Sequence, residues 1–421
     1  MMKNIKITTL NNGLRVITDT VDSVHSVAVG IWAAVGTRDE DLQHNGVAHM
    51  VEHMLFKGTQ RRGPKQIAEE VENVGGHMNA YTSKEMTSYH IHLLKNDLPL
   101  ALDMLADMYQ NATLPEDEIA RERHVILQEI GMTNDTPDDL IFDNYYETAY
   151  PGQGLGAPIL GRAQHVSRMQ RGEMADYIRR FYTPARTIIS AAGNIEHADF
   201  VQQVEQAFRN LPADQPDQHA KANYQGGEHR QNKDLEQTHI VLGFQGLGRL
   251  DDDYLPARIL SMMLGGGMSS RLFQEVREKR GLVYTVYAYH SGYIDDGQFG
   301  IYAGTGPKDL PELIPVLCDE ILKTTHDLTE VELNRARAQI KSGMVIGRES
   351  MMARAEQQAK YLQFHGKAFD LDAILTKIDA ITVSDLHKVA KPIFATRPTL
   401  AALGPVESLE SYERICARLA A

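Results

Sequence analysis

The chain has 421 residues, room for two or three domains of about 150 residues each. Its 43% hydrophobic and 24% charged residues make an ordinary globular composition and exclude a disordered tail, a collagen-like fibre and a low-complexity scaffold. With 43 Lys and Arg against 56 Asp and Glu, the formal net charge of −13 argues against phosphate-backbone binding and suits cationic ligands.

Ile5 to Thr9 and Leu14 to Thr18 flank Asn11-Asn12-Gly13, which reads as a hairpin. Ser26 to Val35 reads as a buried strand, and Gly46 to Phe56 and Pro64 to Val74 as helices, the second stopped by Gly75-Gly76. Asn79 to Leu94 alternates with period two, the mark of one long strand. Helices are expected over Leu98 to Gln110 and over Glu116 to Met132, the latter with Pro115 at its start. Residues 212–233 carry Pro216, Gly226 and Gly227 among polar residues and read as a linker.

Beyond the linker the series repeats. Thr238 to Phe244 reads as a strand, Tyr254 to Leu264 and Ser270 to Lys279 as helices, and Leu282 to His290 alternates. Val71 with Gly76 maps onto Val276 with Gly281 at an offset of 205, and Asp97-Leu98-Pro99 onto Asp309-Leu310-Pro311 at 212. The expected architecture is α+β: two homologous domains, 1–211 and 234–421, each a mostly antiparallel sheet with helices packed on one face. Cys318 and Cys416 are too few for a disulfide framework, so a reducing compartment is expected. No apolar run approaches the roughly 20 residues that span a bilayer. Met1 to Thr9 has no apolar signal core. The expectation is a cytoplasmic protein with neither membrane nor nucleic acid among its partners.

The strongest chemical signal is His49-Met50-Val51-Glu52-His53. On a helix, residues four apart stack one turn above each other, so His49 and His53 can offer both imidazoles to one ion. Glu52 lies on the same side, where a carboxylate can take a proton from a metal-activated water. This is the inverted zincin order. A catalytic zinc wants a third protein ligand, and Glu122 and Glu129, seven apart, share a helix face. Spacing alone leaves open which of them binds the ion and which orients a histidine from behind.

With Asn12-Gly13-Leu14-Arg15-Val16, Gly46 to Thr59 and Phe56-Lys57-Gly58-Thr59 in view, the sequence resembles the pitrilysin-type zinc metallopeptidases of the processing-peptidase subfamily. That group holds the catalytic subunit of the mitochondrial processing peptidase and its bacterial relatives. The family's third ligand follows the second histidine by 76 positions, which here implies Glu129, one zinc ion per chain and Glu122 as the supporting carboxylate. Asn79 and Ala80 then match an edge strand that pairs with extended substrate. Arg277 and Tyr284 match a pair that grips the scissile region and steadies the oxyanion. Asp139 and Asp143 match positions that receive a substrate arginine, although Asp139, with Asp138, also suits the first turn of a helix capped by Thr136 with Pro137 at its first position. Phe56 matches a pocket residue for an apolar side chain after the cut.

Gly265-Gly266-Gly267 is a short version of the glycine-rich loop of the family's non-catalytic partner subunit. One chain thus carries both halves of the site, which implies a homodimer, with a heterodimer with a related subunit as the other arrangement. The lack of a visible presequence favours a bacterial cytoplasmic enzyme over one of the mitochondrial matrix. The resemblance implies a zinc-dependent endopeptidase that cleaves peptides or presequence-like N-terminal segments and prefers extended basic substrates. The alternative is a non-catalytic structural or partner subunit of the same fold.

Overall fold

The Asn12-Gly13 turn folds as the sequence reads. Gly13 takes φ +91°, Asn12 Oδ1 accepts from the Leu14 N–H, and strands β1 (Ile5–Thr9) and β2 (Arg15–Thr20) pair antiparallel from Thr9 opposite Arg15. The structure is a computed structural model that describes residues 4–213 and 220–420. It divides into two compact units that are discontinuous in sequence. One gathers the described residues of Met1–Met132, Ala157–Ala220 and Val345–Leu371, the other those of Thr133–Gly156, Lys221–Met344 and Asp372–Ala421.

The first unit is built on a six-stranded sheet. Its remaining strands are β3 (Ser26–Ala33), β4 (His77–Thr82), β5 (Thr87–Leu94) and β6 (Thr187–Gly193), in the order β1-β2-β6-β3-β5-β4. All pairs are antiparallel except β2 with β6. The alternating run from Asn79 is therefore two strands and not one. Ser83 to Met86 make a hairpin closed by the Ser83 N–H to the Met86 carbonyl at 2.8 Å, and the alternation simply continues through it.

The second unit repeats the plan with five strands: β7 (Gly227–Asn232), β8 (Thr238–Gly246), β9 (Val283–Gly292), β10 (Gly297–Thr305) and β11 (Thr399–Gly404), ordered β7-β11-β8-β10-β9. Only β7 with β11 is parallel, so the parallel pair recurs in the matching place. Residues 214–219 of the expected linker lie outside the described residues, and β7 falls within its later part. The Asp-Leu-Pro anchors also match in structure. Each Asp is the N-cap of a 14-residue helix with Pro in its first turn: α3 (Leu98–Asn111), and Leu310–Lys323 in the second unit.

Helices α1 (Val47–Leu55), α2 (Pro64–Glu72), α3 and α4 (Glu116–Asp135) send Met50, Val51, Ile67, Leu102, Leu105 and Ile126 into one core with Val29, Ile31 and Ile91 of the sheet. The opposite face of the same sheet carries Ala28, Trp32, Ile188 and Ala192, covered by Met351, Ala355, Ala359 and Leu362 of the helix Met351–His365. In the second unit α5 (Pro137–Ala149) does the same, with Ile141 and Tyr145 against Val241, Ala401 and Leu403. A Cβ at Gly243 would lie 1.9 Å from the Tyr145 hydroxyl, so only glycine admits that ring. Each unit thus takes a helix from the other half of the sequence.

The Met351–His365 segment is fixed by a buried carboxylate. Asp19 accepts from Arg348 at 2.6 Å and from Arg354 at 3.1 Å, and the Ser190 hydroxyl donates to the Ala355 carbonyl at 2.7 Å. Removing one partner of a buried ion cluster leaves the others uncompensated. Asp19→Ala is expected to cost about 3 kcal/mol and to expose residues 345–371 to limited proteolysis before the rest of the chain, read by mass spectrometry of the first fragments.

Candidate metal centre

Helix α1 enters through Gly46, at φ +100°, where a Cβ would meet the Gly161 Cα at 2.8 Å. The backbone conformation and the close approach both require glycine there. The free N–H groups of its first turn are met by the buried Glu40 carboxylate, which accepts from Gly46 N at 2.9 Å, Ala48 N at 2.7 Å and the Asn45 side chain at 2.8 Å. Burial pushes the Glu40 carboxyl up to about 7, against the downward pull of these three bonds. Val47, Met50, Val51, Met54 and Leu55 are buried, which leaves His49, Glu52 and His53 to share the remaining face.

Opposite them α4 presents Glu129. His49 Nε2 and His53 Nε2 each stand 3.8 Å from its Oε2, and the donor atoms of the three residues all lie within 4.8 Å of one another. At 3.8 Å no hydrogen bond joins them. Two imidazole nitrogens and a carboxylate oxygen therefore face one another across a gap, and this donor set is the one a zinc ion takes. Spacing had left Glu122 and Glu129 equivalent, and the geometry separates them. His53 Nδ1 donates to Glu122 Oε2 at 2.8 Å, while Glu122 Oε1 pairs with Lys57 Nζ at 2.7 Å. That bond fixes the tautomer and turns Nε2 toward the gap. Burial works to raise Glu122, but the bonds from Lys57 and His53 prevail and hold it below the ordinary carboxylate range.

Burial, reinforced by His53, lowers His49 to about 4, so the ring is neutral and ready to ligate at neutral pH. Glu52 Oε2 accepts from the Thr82 hydroxyl at 2.6 Å. Burial raises the Glu52 carboxyl, the Thr82 bond and His53 oppose it, and Glu129 adds to it. Lys57, Thr82 and Glu40 are contacts that sequence reasoning missed. Lys57 stood inside a motif quoted for another reason, Thr82 inside the alternating run from Asn79, and Glu40 showed no local signal.

Other residues fall elsewhere. Phe56 ends α1, half-buried against the core with its ring 6.3 Å from that of Tyr89. Asn79 and Ala80 lie on β4, an edge of the six-stranded sheet, and Asn79 Oδ1 accepts from the Ala80 N–H at 2.8 Å. In the second unit the Arg277 guanidinium lies over the rings of Phe273 at 4.8 Å and Tyr284 at 5.4 Å. Tyr284, on edge strand β9, is 73% exposed. Asp139 occupies the first turn of α5, and its charge helps raise the Tyr287 hydroxyl after burial and Asp138. Asp143, one turn on, similarly adds to the raised Tyr146.

Two outcomes are expected. Glu122→Gln should weaken zinc about 10- to 100-fold, measured by competition with a chromophoric chelator. For the zinc-free chain, the folded His49 value of about 4 lies below its ordinary 6.5, so the unfolded chain binds a proton that the folded one refuses. The stability it contributes is complete above about pH 6.5 and declines as the pH falls toward 4. Urea midpoints of wild type should fall over that window more steeply than those of His49→Gln. This difference isolates His49 from Glu40, whose raised value acts in the opposite sense.

Residues 15–163 match the Insulinase (Peptidase family M16) model, and residues 168–340 match the Peptidase M16 inactive domain model. An uncharacterised zinc protease of Streptomyces coelicolor is 38% identical over 417 residues, covering 97% of this chain and 91% of that one. One from Bacillus subtilis is 35% identical over 415 residues, covering 97% and 100%. The crystal structure of a protease from Helicobacter pylori has the same fold, with a TM-score of 0.87 at 24% identity over 95% of this chain and 99% of that one. A peptidase M16 inactive domain from Pseudomonas fluorescens gives 0.90 at 20% identity, over 97% and 99%. With its His49, His53 and Glu129 zinc site, the chain belongs to the M16 (insulinase) family of zinc metallopeptidases and is a zinc-dependent peptide-cleaving enzyme.

Proposed function

We propose that Glu52 is the general base of peptide hydrolysis and that the enzyme acts on extended basic peptides, including presequence-like N-terminal segments. The observation that carries this is the placement of Glu52 beside His49 and His53 on α1, facing Glu129, with only one of its oxygens hydrogen-bonded among the described residues. Zinc, when bound, supplies Lewis acidity toward the scissile carbonyl and acidifies water. Glu52, raised by burial, takes the proton of the attacking water and returns it to the leaving amine.

Substrate recognition follows from the strand edges. β4 ends its sheet, so an extended peptide can add there through main-chain hydrogen bonds, with Asn79 and Ala80 on the pairing edge. Phe56 offers an apolar surface for the residue after the cut. The exposed Tyr284 hydroxyl donates to a substrate carbonyl or the oxyanion, and Arg277, stacked on it, fixes backbone carbonyls. Asp139 and Asp143 pair with a substrate guanidinium, in keeping with the −13 net charge. A homodimer is the working assembly, because one sequence holds the zinc set and the Arg277–Tyr284 pair. No helix among the described residues is long and apolar enough to cross a membrane. Two unbridged cysteines support a reducing compartment such as the bacterial cytoplasm.

Glu52→Gln should retain about one zinc per chain while kcat on a quenched-fluorescence basic peptide falls about 10²- to 10⁴-fold. Full activity with zinc bound would remove Glu52 from the chemistry. Wild type should also show a lower KM for an arginine-containing peptide than for its citrulline counterpart, a preference that Asp139→Asn with Asp143→Asn should reduce.

A further inference from the structure

The long Glu52 side chain is held from outside its own helix. Thr82 Oγ1 donates to Glu52 Oε2 at 2.6 Å. Thr82 is the last residue of β4, and the backbone just beyond it is pinned from outside the strand. The Thr37 N–H donates to the Ser83 carbonyl at 3.2 Å, and the Arg38 N–H to the Lys84 carbonyl at 2.8 Å. Arg38 also pairs with Glu85 at 2.7 Å. Gly36 runs so close that a Cβ there would stand 2.1 Å from the Ser83 oxygen. Within the hairpin, the Ser83 hydroxyl donates to the Met86 carbonyl at 2.8 Å. A β-branched residue on such a backbone has few rotamers to choose from, so its hydroxyl is a fixed donor. The glutamate it holds has rotatable torsions whose freedom would otherwise cost the reaction.

We propose that Thr82 is a positioning residue for hydrolysis, tethering one oxygen of Glu52 so that the other stays free to take the proton. This rests on the reading of Glu52 as general base. The same strand offers its outer edge to the peptide, so substrate register and base orientation are set by one rigid piece of backbone. A peptide paired along Asn79 and Ala80 sits two residues from the hydroxyl that aims the base.

Thr82→Val keeps the shape and removes the donor, whereas Thr82→Ser keeps the donor. On a quenched-fluorescence basic peptide, Thr82→Val is expected to lose about 10- to 100-fold in kcat with KM changed less than about twofold. Zinc content and melting temperature should match wild type. Thr82→Ser should recover kcat to within about threefold of wild type. In the Glu52→Gln background, Thr82→Val should lower kcat no further, because both changes disable the same group. A Val variant as active as wild type would overturn the proposal. So would equal loss in Val and Ser, or a full extra loss on top of Glu52→Gln. Full activity of Glu52→Gln itself sinks the base assignment and this proposal together. An inactive Glu52→Gln beside a fully active Thr82→Val sinks this proposal alone.

Discussion

Everything functional in this chain depends on keeping two imidazole nitrogens and a carboxylate oxygen close together without letting them bond to one another. Left to themselves, such groups collapse into hydrogen bonds or turn out to water. Here the alternatives are removed one at a time. The apolar face of α1 fixes its roll, Gly46 and the Glu40 carboxylate fix its start, and Glu122 accepts a hydrogen bond from the rear nitrogen of His53. What remains for His49 Nε2, His53 Nε2 and Glu129 is the 3.8 Å gap they share. The cost of burying these groups is visible in the lowered His49 and the raised Glu52.

The duplicated sheet shows how little of the fold this chemistry needs. Both units repeat the strand order, the single parallel pair and the Asp-Leu-Pro helix start. Yet the helix Tyr254–Gly265, which packs on β9 as α1 packs on β4, reads YLPARILSMMLG and contains no His, Cys, Asp or Glu. It cannot hold a metal, in keeping with the inactive-domain model that matches residues 168–340. That half keeps the scaffold and carries instead the stacked Arg277 and Tyr284. Exchange of α5 and Met351–His365 ties each unit to sequence from the other half, so neither half of the chain contains all of its own core.

What could be read from sequence was what repeats locally. The His49–Glu52–His53 spacing is a statement about helical pitch, and the Asn12-Gly13 turn and the Asp97 and Asp309 caps are equally short-range. The choice between Glu122 and Glu129 was not local. Both lie on the face of α4 turned to α1, and only the positions of Lys57 and the two ring nitrogens of His53 separate them. The hairpin at Ser83 to Met86 was hidden because its polar turn residues preserved the alternation on either side. β7 was hidden because an edge strand with mostly half-exposed polar side chains has a linker's composition. No periodicity announces that α5 or Met351–His365 will cross to the other unit. Their apolar faces are complementary to sheets far away in the chain, and complementarity at that range leaves no local trace.

The charge inventory of the centre explains why a divalent ion suits it. Glu52, Glu122 and Glu129 bring three carboxylates to the surroundings of His49 and His53, and Lys57, paired with Glu122, brings one positive charge. His49 contributes none at neutral pH because burial has lowered it to about 4. The formal excess is about two negative charges in a partly dehydrated space, where like charges repel more strongly than in water. A monovalent cation would leave half of that excess, and protonation of Glu129 would consume the oxygen that faces the two imidazoles. A doubly charged ion small enough for two nitrogens and one oxygen restores the balance while leaving Glu52 as the carboxylate not engaged as a ligand. The charge that these carboxylates concentrate is thus matched to a divalent ion, and Lys57, paired with Glu122 behind His53, sets the formal excess at two rather than three.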